Sequence, residues 1–227
     1  QMSSGYFVTG TDTGVGKSIV SAALIHAVGG RGHRTAGMKP VASGCMETGS
    51  GLANEDADLL MSAANVELDY DLVCPYRFMP AIAPHLAAAG VGVEINTGRI
   101  MEAYHRIESV TDRVIVEGVG GWMVPTSATS GMADVAVEMG LPVILVVGAR
   151  LGCINHALLS RQAIAVRDLP LAGWVYNRVD PDMEAADDVL KSLETLLGVA
   201  PIADIPYSTQ PEPARIAPLI NLEALAA

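Results

Sequence analysis

The sequence predicts an α/β fold: a doubly wound, mostly parallel sheet with helices on both faces. Three observations carry this reading. Short apolar, β-branched runs alternate with helix-periodic segments along the chain. Each run ends in a Gly or a polar turn. Leu141–Gly148, LPVILVVG, is an almost unbroken β-branched run, as expected for a strand covered on both faces. With 227 residues and no linker, repeat or low-complexity tract, one domain over 1–227 is expected. Residues 1–4 are expected to be a disordered or extraneous start, since Gln1 precedes Met2.

The elements follow in order. Tyr6, Phe7 and Val8 form the first strand, followed by a glycine loop from Gly10 to Gly16. Lys17 opens a helix marked by Ile19, Val20, Ala23, Leu24, Ala27 and Val28. Gly29, Gly30 and Gly32 make a turn. Residues 35–39, TAGMK, read as a second strand ended by Pro40. Residues 41–51 read as a small-residue loop, 56–64 as a short helix, and 68–84, with three prolines, as an ordered loop region. Helices are expected over 83–89 and 97–109. RVIVE, residues 113–117, is a buried strand running into Gly118-Val-Gly-Gly121. A helix over 131–139, the strand LPVILVVG, a helix over 155–166, the strand LAGWVY (171–176), a helix over 182–197 and a short strand over 202–205 complete the chain.

Composition narrows the function classes. Half the residues are hydrophobic but only 4% are aromatic, so the core is built from Ala, Val, Leu, Ile and Met. The net charge of −11, from 14 basic and 25 acidic residues, argues against nucleic acid or an anionic membrane as the main partner. The longest apolar run, Leu141–Ala149, is far shorter than the about 20 residues a membrane span needs. The N-terminus shows no basic region followed by an apolar stretch, so no secretory signal is expected. Three cysteines, Cys45, Cys74 and Cys153, have no metal-like spacing and fit a reducing cytoplasm.

The stretch YFVTGTDTGVGKSIVSA, residues 6–22, organises the chemistry. Strand, glycine loop and helix N-terminus together form an anion site, because backbone N–H groups converge there and the helix dipole favours negative charge. Lys17 can reach nucleotide β- and γ-phosphates, and the Ser18 hydroxyl can join a Mg²⁺ shell. The Walker A pattern asks for four residues before Gly-Lys-Ser; Gly10 and Gly16 enclose five. A glycine turn that merely joins strand to helix is the plainer alternative.

Other candidates fall at the carboxyl ends of strands, where ligands bind in such sheets. Lys39 could add positive charge over a transferring phosphoryl group, or be a solvated strand-end lysine. Ser43 follows in a donor-rich loop. Glu117 ends an apolar strand, where a carboxylate needs a partner; a Mg²⁺ held by Ser18 is one, a salt bridge another. Asp56 stands near a helix start, where Glu55 or Asp58 would serve the helix dipole equally. Gly152-Cys153-Ile154-Asn155 opens a helix and could hold a carboxylate, or be only its cap. Cys153 and His156 are each more simply read as structural. Asn177 could read a purine edge or shape a turn.

Taken together, FVTGTDTGVGKS, AGMKPVASG, VIVEGVGGW, PVILVVGARLGCINH and LAGWVYNRV resemble the dethiobiotin synthetase family from about Tyr6 to Tyr207. The longer loop is itself a family feature. The resemblance implies a P-loop NTPase-like fold, ATP as co-substrate and Mg²⁺. It implies closure of 7,8-diaminononanoate with CO2 to dethiobiotin, via a carbamate and a carbamic–phosphoric anhydride, in a cytoplasmic homodimer. It implies that Thr13, Gly14, Val15, Gly16, Lys17, Ser18 and Ile19 hold the phosphates, with Gly118 and Gly120 beside them. Ser18, Asp56 and Glu117 are the implied metal ligands, and Lys39, Lys17 and Thr13 the catalytic groups. Asn177, Ile205, Pro206 and Tyr207 would line the adenine. Ser43 would contact the diamine, and Gly152, Cys153, Ile154 and Asn155 of the neighbouring subunit its carboxylate. Some members carry Glu where this chain has Gly14, and some offer a Tyr hydroxyl near Val189.

Two other classes compete. One is a P-loop switch ATPase of the partitioning or metal-insertion type; many of those carry a lysine five residues before the P-loop lysine, where this chain has Asp12. The other is a related ATP-dependent amide-forming enzyme or a degenerate, noncatalytic domain; intact Lys17, Ser18, Lys39 and Glu117 speak against degeneracy.

Overall fold

The computed structural model of the protein describes residues 5–225; the expectation for residues 1–4 lies outside them. Six parallel strands form the central sheet: β1 (Gly5–Gly10), β2 (Thr35–Met38), β7 (Arg113–Gly121), β8 (Val143–Gly148), β9 (Leu171–Asn177) and β10 (Ala203–Ile205). Their order is β10-β9-β8-β1-β7-β2. The first strand is therefore central, and the order turns back at it. That switch point opens a crevice at the carboxyl end of β1.

Alternation along the strands sends side chains to two layers of helices. Phe7, Val114 and Val116 pack under α5 (Thr97–Glu108) and α6 (Met132–Met139). Leu145, Val147, Trp174 and Tyr176 extend that layer toward α7 (Cys153–Ala165) and α8 (Ala186–Leu197). Val8, Ile115, Ile144 and Val146 face the other way, against α1 (Lys17–Gly29), α2 (Glu55–Ala63) and α9 (Pro213–Ile216). The doubly wound, parallel architecture expected from the sequence is thus the one observed. Among the described residues no helix is long and apolar enough to cross a membrane.

Two regions differ from expectation. The segment read as a loop over 41–51 contains β3 (Val41–Ser43) and β4 (Met46–Thr48), the latter pairing antiparallel with β5 (Gly51–Ala53). The segment read as an ordered loop over 68–84 holds α3 (Tyr70–Val73) and β6 (Tyr76–Phe78), and α4 spans Pro84–Gly90. β3 and β6 pair with each other, Val41 opposite Tyr76. Three residues are too few to show a period of two. Their stability comes from the partner strand and from Val41, Tyr76 and Phe78 entering the core. The helix expected from Asp182 begins at Ala186, behind a left-handed Ala185 (φ 54°).

α1 and α2 pack closely over β2 because Gly37 presents no side chain. A Cβ built there would lie 2.7 Å from Leu60 Cβ and 2.8 Å from Ile25 Cδ1. Ile25 Cδ1 can turn aside, but Leu60 Cβ cannot move without its helix. Gly37→Ala is expected to lower stability by about 1–3 kcal/mol through overpacking, read as a reduced urea midpoint.

Candidate active site

The first crossover builds the site's floor. β1 delivers the chain at Gly10, the loop turns through left-handed Gly14 (φ 73°) and Gly16 (φ 85°), and α1 starts at Lys17. At Gly16 the missing side chain is required twice. The backbone is left-handed, and a Cβ would lie 2.2 Å from Asn177 Nδ2. Gly16 caps α1 without a side-chain acceptor, leaving the first N–H groups of the helix to a ligand.

The long loop is fastened at three points. Thr11 N–H donates to Val146 O (3.0 Å). The Asp12 carboxylate accepts from Thr13 N–H (2.7 Å) and from Arg150 Nη2 (2.6 Å). Asn177 Nδ2 donates to Val15 O (2.9 Å). Lys17 Nζ donates to Asp12 O (2.9 Å), so its stem arches over the loop it serves.

Around Ser18 the chain gathers its buried charge. Ser18 Oγ lies 2.6 Å from Asp56 Oδ1 and 2.9 Å from Glu117 Oε1. One hydroxyl proton serves one of these oxygens at a time, so the cluster calls for further positive charge. Lys39 supplies it: Nζ is 2.6 Å from Glu117 Oε1, 2.8 Å from Asp56 Oδ2 and 3.3 Å from Gly118 O. Lys39 and Glu117 are almost wholly buried, at 3% and 0% side-chain exposure. Asp56 reaches the cluster because Asn54 caps α2, its Oδ1 accepting from Asp56 N–H (3.1 Å) and Ala57 N–H (3.4 Å).

These contacts set the protonation states. Burial disfavours the Lys39 ammonium, but Glu117 and Asp56 outweigh it and raise Lys39 above the ordinary lysine range. Burial also opposes charge on Asp56, and Lys39 reverses this, holding the carboxyl below its ordinary range. Lys17 goes the other way. Burial and the neighbouring Lys39 bring it down to about 8, against the pull of Glu117, Asp56 and Asp12.

The cluster opens into a cleft of about 870 Å³. Its lining is mixed: Thr13, Gly14, Gly16, Lys17, Ser18, Lys39, Ser43 and Asp56 supply polar groups, and Ala81, Ile82, Pro84, Val119, Val124 and Pro125 apolar ones. Two buried oxygens in it have no hydrogen-bond partner, Glu117 Oε2 and Ser43 Oγ. The oxygen donors Ser18, Asp56 and Glu117 suit a hard divalent cation such as Mg²⁺, and the unpartnered Glu117 oxygen fits the same conclusion.

The structure brings most of the sequence candidates together. Ile19, Glu55 and Gly120 also line the cleft, and Gly118 contributes its carbonyl to Lys39. Among the three acids left open by the sequence, Asp56 is the one hydrogen-bonded to Ser18. Val15 is buried behind the loop. Asn177 ends β9 beside Ile205 of β10, and the exposed Tyr207 follows two residues after Ile205. Gly152, Ile154 and Asn155 lie outside the cleft of their own chain, and Cys153 is packed in the core. Sequence reasoning missed Asn54, Arg150 and the apolar segment 81–84. Asn54 carried a readable signal, an N-cap residue ahead of two acids; Arg150 carried none.

A family model described as an AAA domain matches residues 4–215. ATP-dependent dethiobiotin synthetase BioD of Xanthomonas campestris pv. campestris is 45% identical over 217 residues, covering 96% of this chain and 97% of that protein. The protein of the same name from Xanthomonas axonopodis pv. citri is 48% identical over 202 residues, covering 89% and 90%. The chain belongs to the dethiobiotin synthetase family. Its backbone is similar to a ParA family ATPase from Chlorobium tepidum (TM-score 0.57, 16% identity, 99% and 96% covered). The MinD cell division protein of Aquifex aeolicus is comparable (TM-score 0.55, 14% identity, 95% and 85% covered). At these identities the likeness concerns the fold alone. It places this dethiobiotin synthetase family member on the P-loop ATPase scaffold.

The Lys17 shift has a stability consequence. The unfolded chain holds this proton up to the ordinary lysine range, near 10.5, whereas the folded chain releases it near 8. Between these values the unfolded state binds more protons, so this group's contribution to stability rises with pH. Urea midpoints at pH 8 and pH 10 are expected to rise more in the wild type than in Lys17→Met; equal slopes would remove the shift.

Proposed function

We propose that the protein closes the ureido ring of dethiobiotin from 7,8-diaminononanoate, CO2 and ATP, in biotin biosynthesis. The observation that carries this reading is the Lys39–Glu117–Asp56–Ser18 cluster at the mouth of the glycine loop. The same cleft carries apolar lining suited to an aliphatic diamine. Family membership at 45–48% identity supports the substrate assignment.

Residue roles follow from position. Loop amides from Thr13 to Ser18, with the N-terminus of α1, take the phosphates. Lys17 leaves the Asp12 carbonyl for a phosphate oxygen. Ser18, Asp56 and Glu117 would hold Mg²⁺, which supplies charge neutralisation at the phosphates when bound. Asn177, Ile205, Pro206 and Tyr207 would line the adenine. Ser43 Oγ, buried and unpartnered, offers a hydrogen bond to an amine or its carbamate.

The chemistry balances without a side-chain nucleophile. One amine adds to CO2 and loses a proton, giving a carbamate. A carbamate oxygen bonds to the γ-phosphorus as the bond to the β–γ bridging oxygen breaks and ADP departs. The second amine attacks the carbonyl carbon, expels phosphate and loses a proton. Anionic oxygens crowd the phosphoryl step. Lys39, Lys17, Thr13 and the loop amides offset that charge and keep the oxygens in line.

A homodimer completes the site in this reading. The helix start at Gly152–Asn155 does not reach its own cleft, and Leu151 beside it is 98% exposed. Met123, Leu159 and Val166 line an exposed apolar hollow of about 340 Å³. A second copy would cover this surface and bring its own α7 N-terminus to the substrate carboxylate. A switch ATPase is less well supported. Asp12 stands where many switch proteins carry a lysine, and it is tied to Arg150 of its own chain.

Incubation with ¹³C-bicarbonate, diaminononanoate and ATP is expected to give labelled cyclic urea with ADP release that requires both partners. Steady ATP turnover without the diamine and no labelled product would favour the switch reading. Lys39→Ala is expected to retain nucleotide binding by calorimetry while turnover falls at least about 100-fold; unchanged turnover would strip Lys39 of its role.

A further inference from the structure

The two acids and one hydroxyl that would hold a divalent cation converge on a single point, and an ammonium already stands against it. Lys39 Nζ contacts Asp56 Oδ2 and Glu117 Oε1 at 2.8 and 2.6 Å, and Ser18 Oγ contacts the other Asp56 oxygen and the same Glu117 oxygen. We propose that Lys39 is the resident counter-ion of this carboxylate pair in the nucleotide-free enzyme, and that its ammonium and a divalent cation exclude one another there. The inference rests on the reading of the cleft as a Mg·ATP site and goes beyond it by giving Lys39 a second, resting position.

Three features support the exchange. Glu117 has no exposed surface, and a carboxylate so placed needs a positive partner at all times; Lys39, at 2.6 Å, is positioned to be that partner. An ammonium at 2.6–2.8 Å on the shared acids would repel a second cation held by those same acids in a poorly solvated cleft. Lys39 also has somewhere to go. Its residue follows β2 directly and lines the open cleft beside Lys17, Ser43 and Gly120. Lys39 released from the acids becomes free to face the transferring phosphoryl group. The catalytic charge is thus stored on the metal ligands until the site is loaded, and metal alone is disfavoured at an empty site.

Mn²⁺ titration followed by EPR separates the possibilities. Without nucleotide, the wild type is expected to bind Mn²⁺ weakly, and Lys39→Met at least tenfold more tightly; Lys39→Gln serves if the methionine variant does not fold. Equal affinity in wild type and variant would overturn the exchange. With ADP present, the wild type is expected to bind Mn²⁺ more tightly than ADP alone does. Failure there would overturn the Mg·ATP reading itself, and the exchange with it. Wild-type crystals soaked in Mn²⁺ and ADP give a variant-free reading. An anomalous peak on Asp56 and Glu117 is expected together with a displaced Lys39 amine. The peak with Lys39 still bridging both acids would overturn the exchange and leave the metal site standing.

Discussion

The ion pair between Lys39 and Glu117 is the constraint on which the rest of the site depends. Glu117 stands on β7, between β1 and β2 in the sheet, with no exposed surface. A carboxylate there is tolerable only with a cation within hydrogen-bond reach, and removing one partner of such a pair costs about 3–5 kcal/mol in general. Lys39 must therefore leave β2 pointing toward β7. Asp56 must be turned inward by its helix cap, and Ser18 must sit in the first turn of α1. A stable core did not require any of these charges. Apolar side chains of the same volume would serve packing as well or better. Their presence at the switch point of the sheet is the physical signature of a site that handles charge.

The glycine loop is tied down within its own chain. The Asp12 carboxylate is paired with Arg150, so it is occupied within its own chain. Both side chains are partly exposed, and such a pair contributes little to stability. Its effect is geometric, because the Asp12 carbonyl is the acceptor that holds Lys17. The cleft beyond the loop is also lined by Ala81, Ile82, Ala83 and Pro84, on an excursion supported by β3 and β6.

The parts of this arrangement legible in the sequence are those encoded locally. β1 and β8 announce themselves because both of their faces are buried, so their runs are unbroken. Lys17 and Ser18 announce themselves because a strand, a glycine loop and a helix start follow one another within a dozen residues or so. The choice of Asp56 over Glu55 or Asp58 was not legible. It depends on how α2 turns against α1, which is a packing outcome. β3 and β6 were missed because each is three residues long and their pairing spans the intervening helices. Arg150 was invisible because its partner lies 138 residues away. The part of 81–84 in the cleft was missed for a related reason. Nothing in that segment marks it as lining until the β3–β6 pair is in place.

The central claim is that the turn between Gly10 and Ser18 grips the phosphate chain and aims its outer phosphorus at the Lys39 side of the cleft. The most direct measurement is a crystal structure with a nonhydrolysable ATP analogue and the diamine. The expected result has the β- and γ-phosphates on the loop amides and Lys17, the adenine beside Asn177, and an amine of the diamine within reach of Ser43. An analogue bound elsewhere, with the loop empty, would contradict the claim.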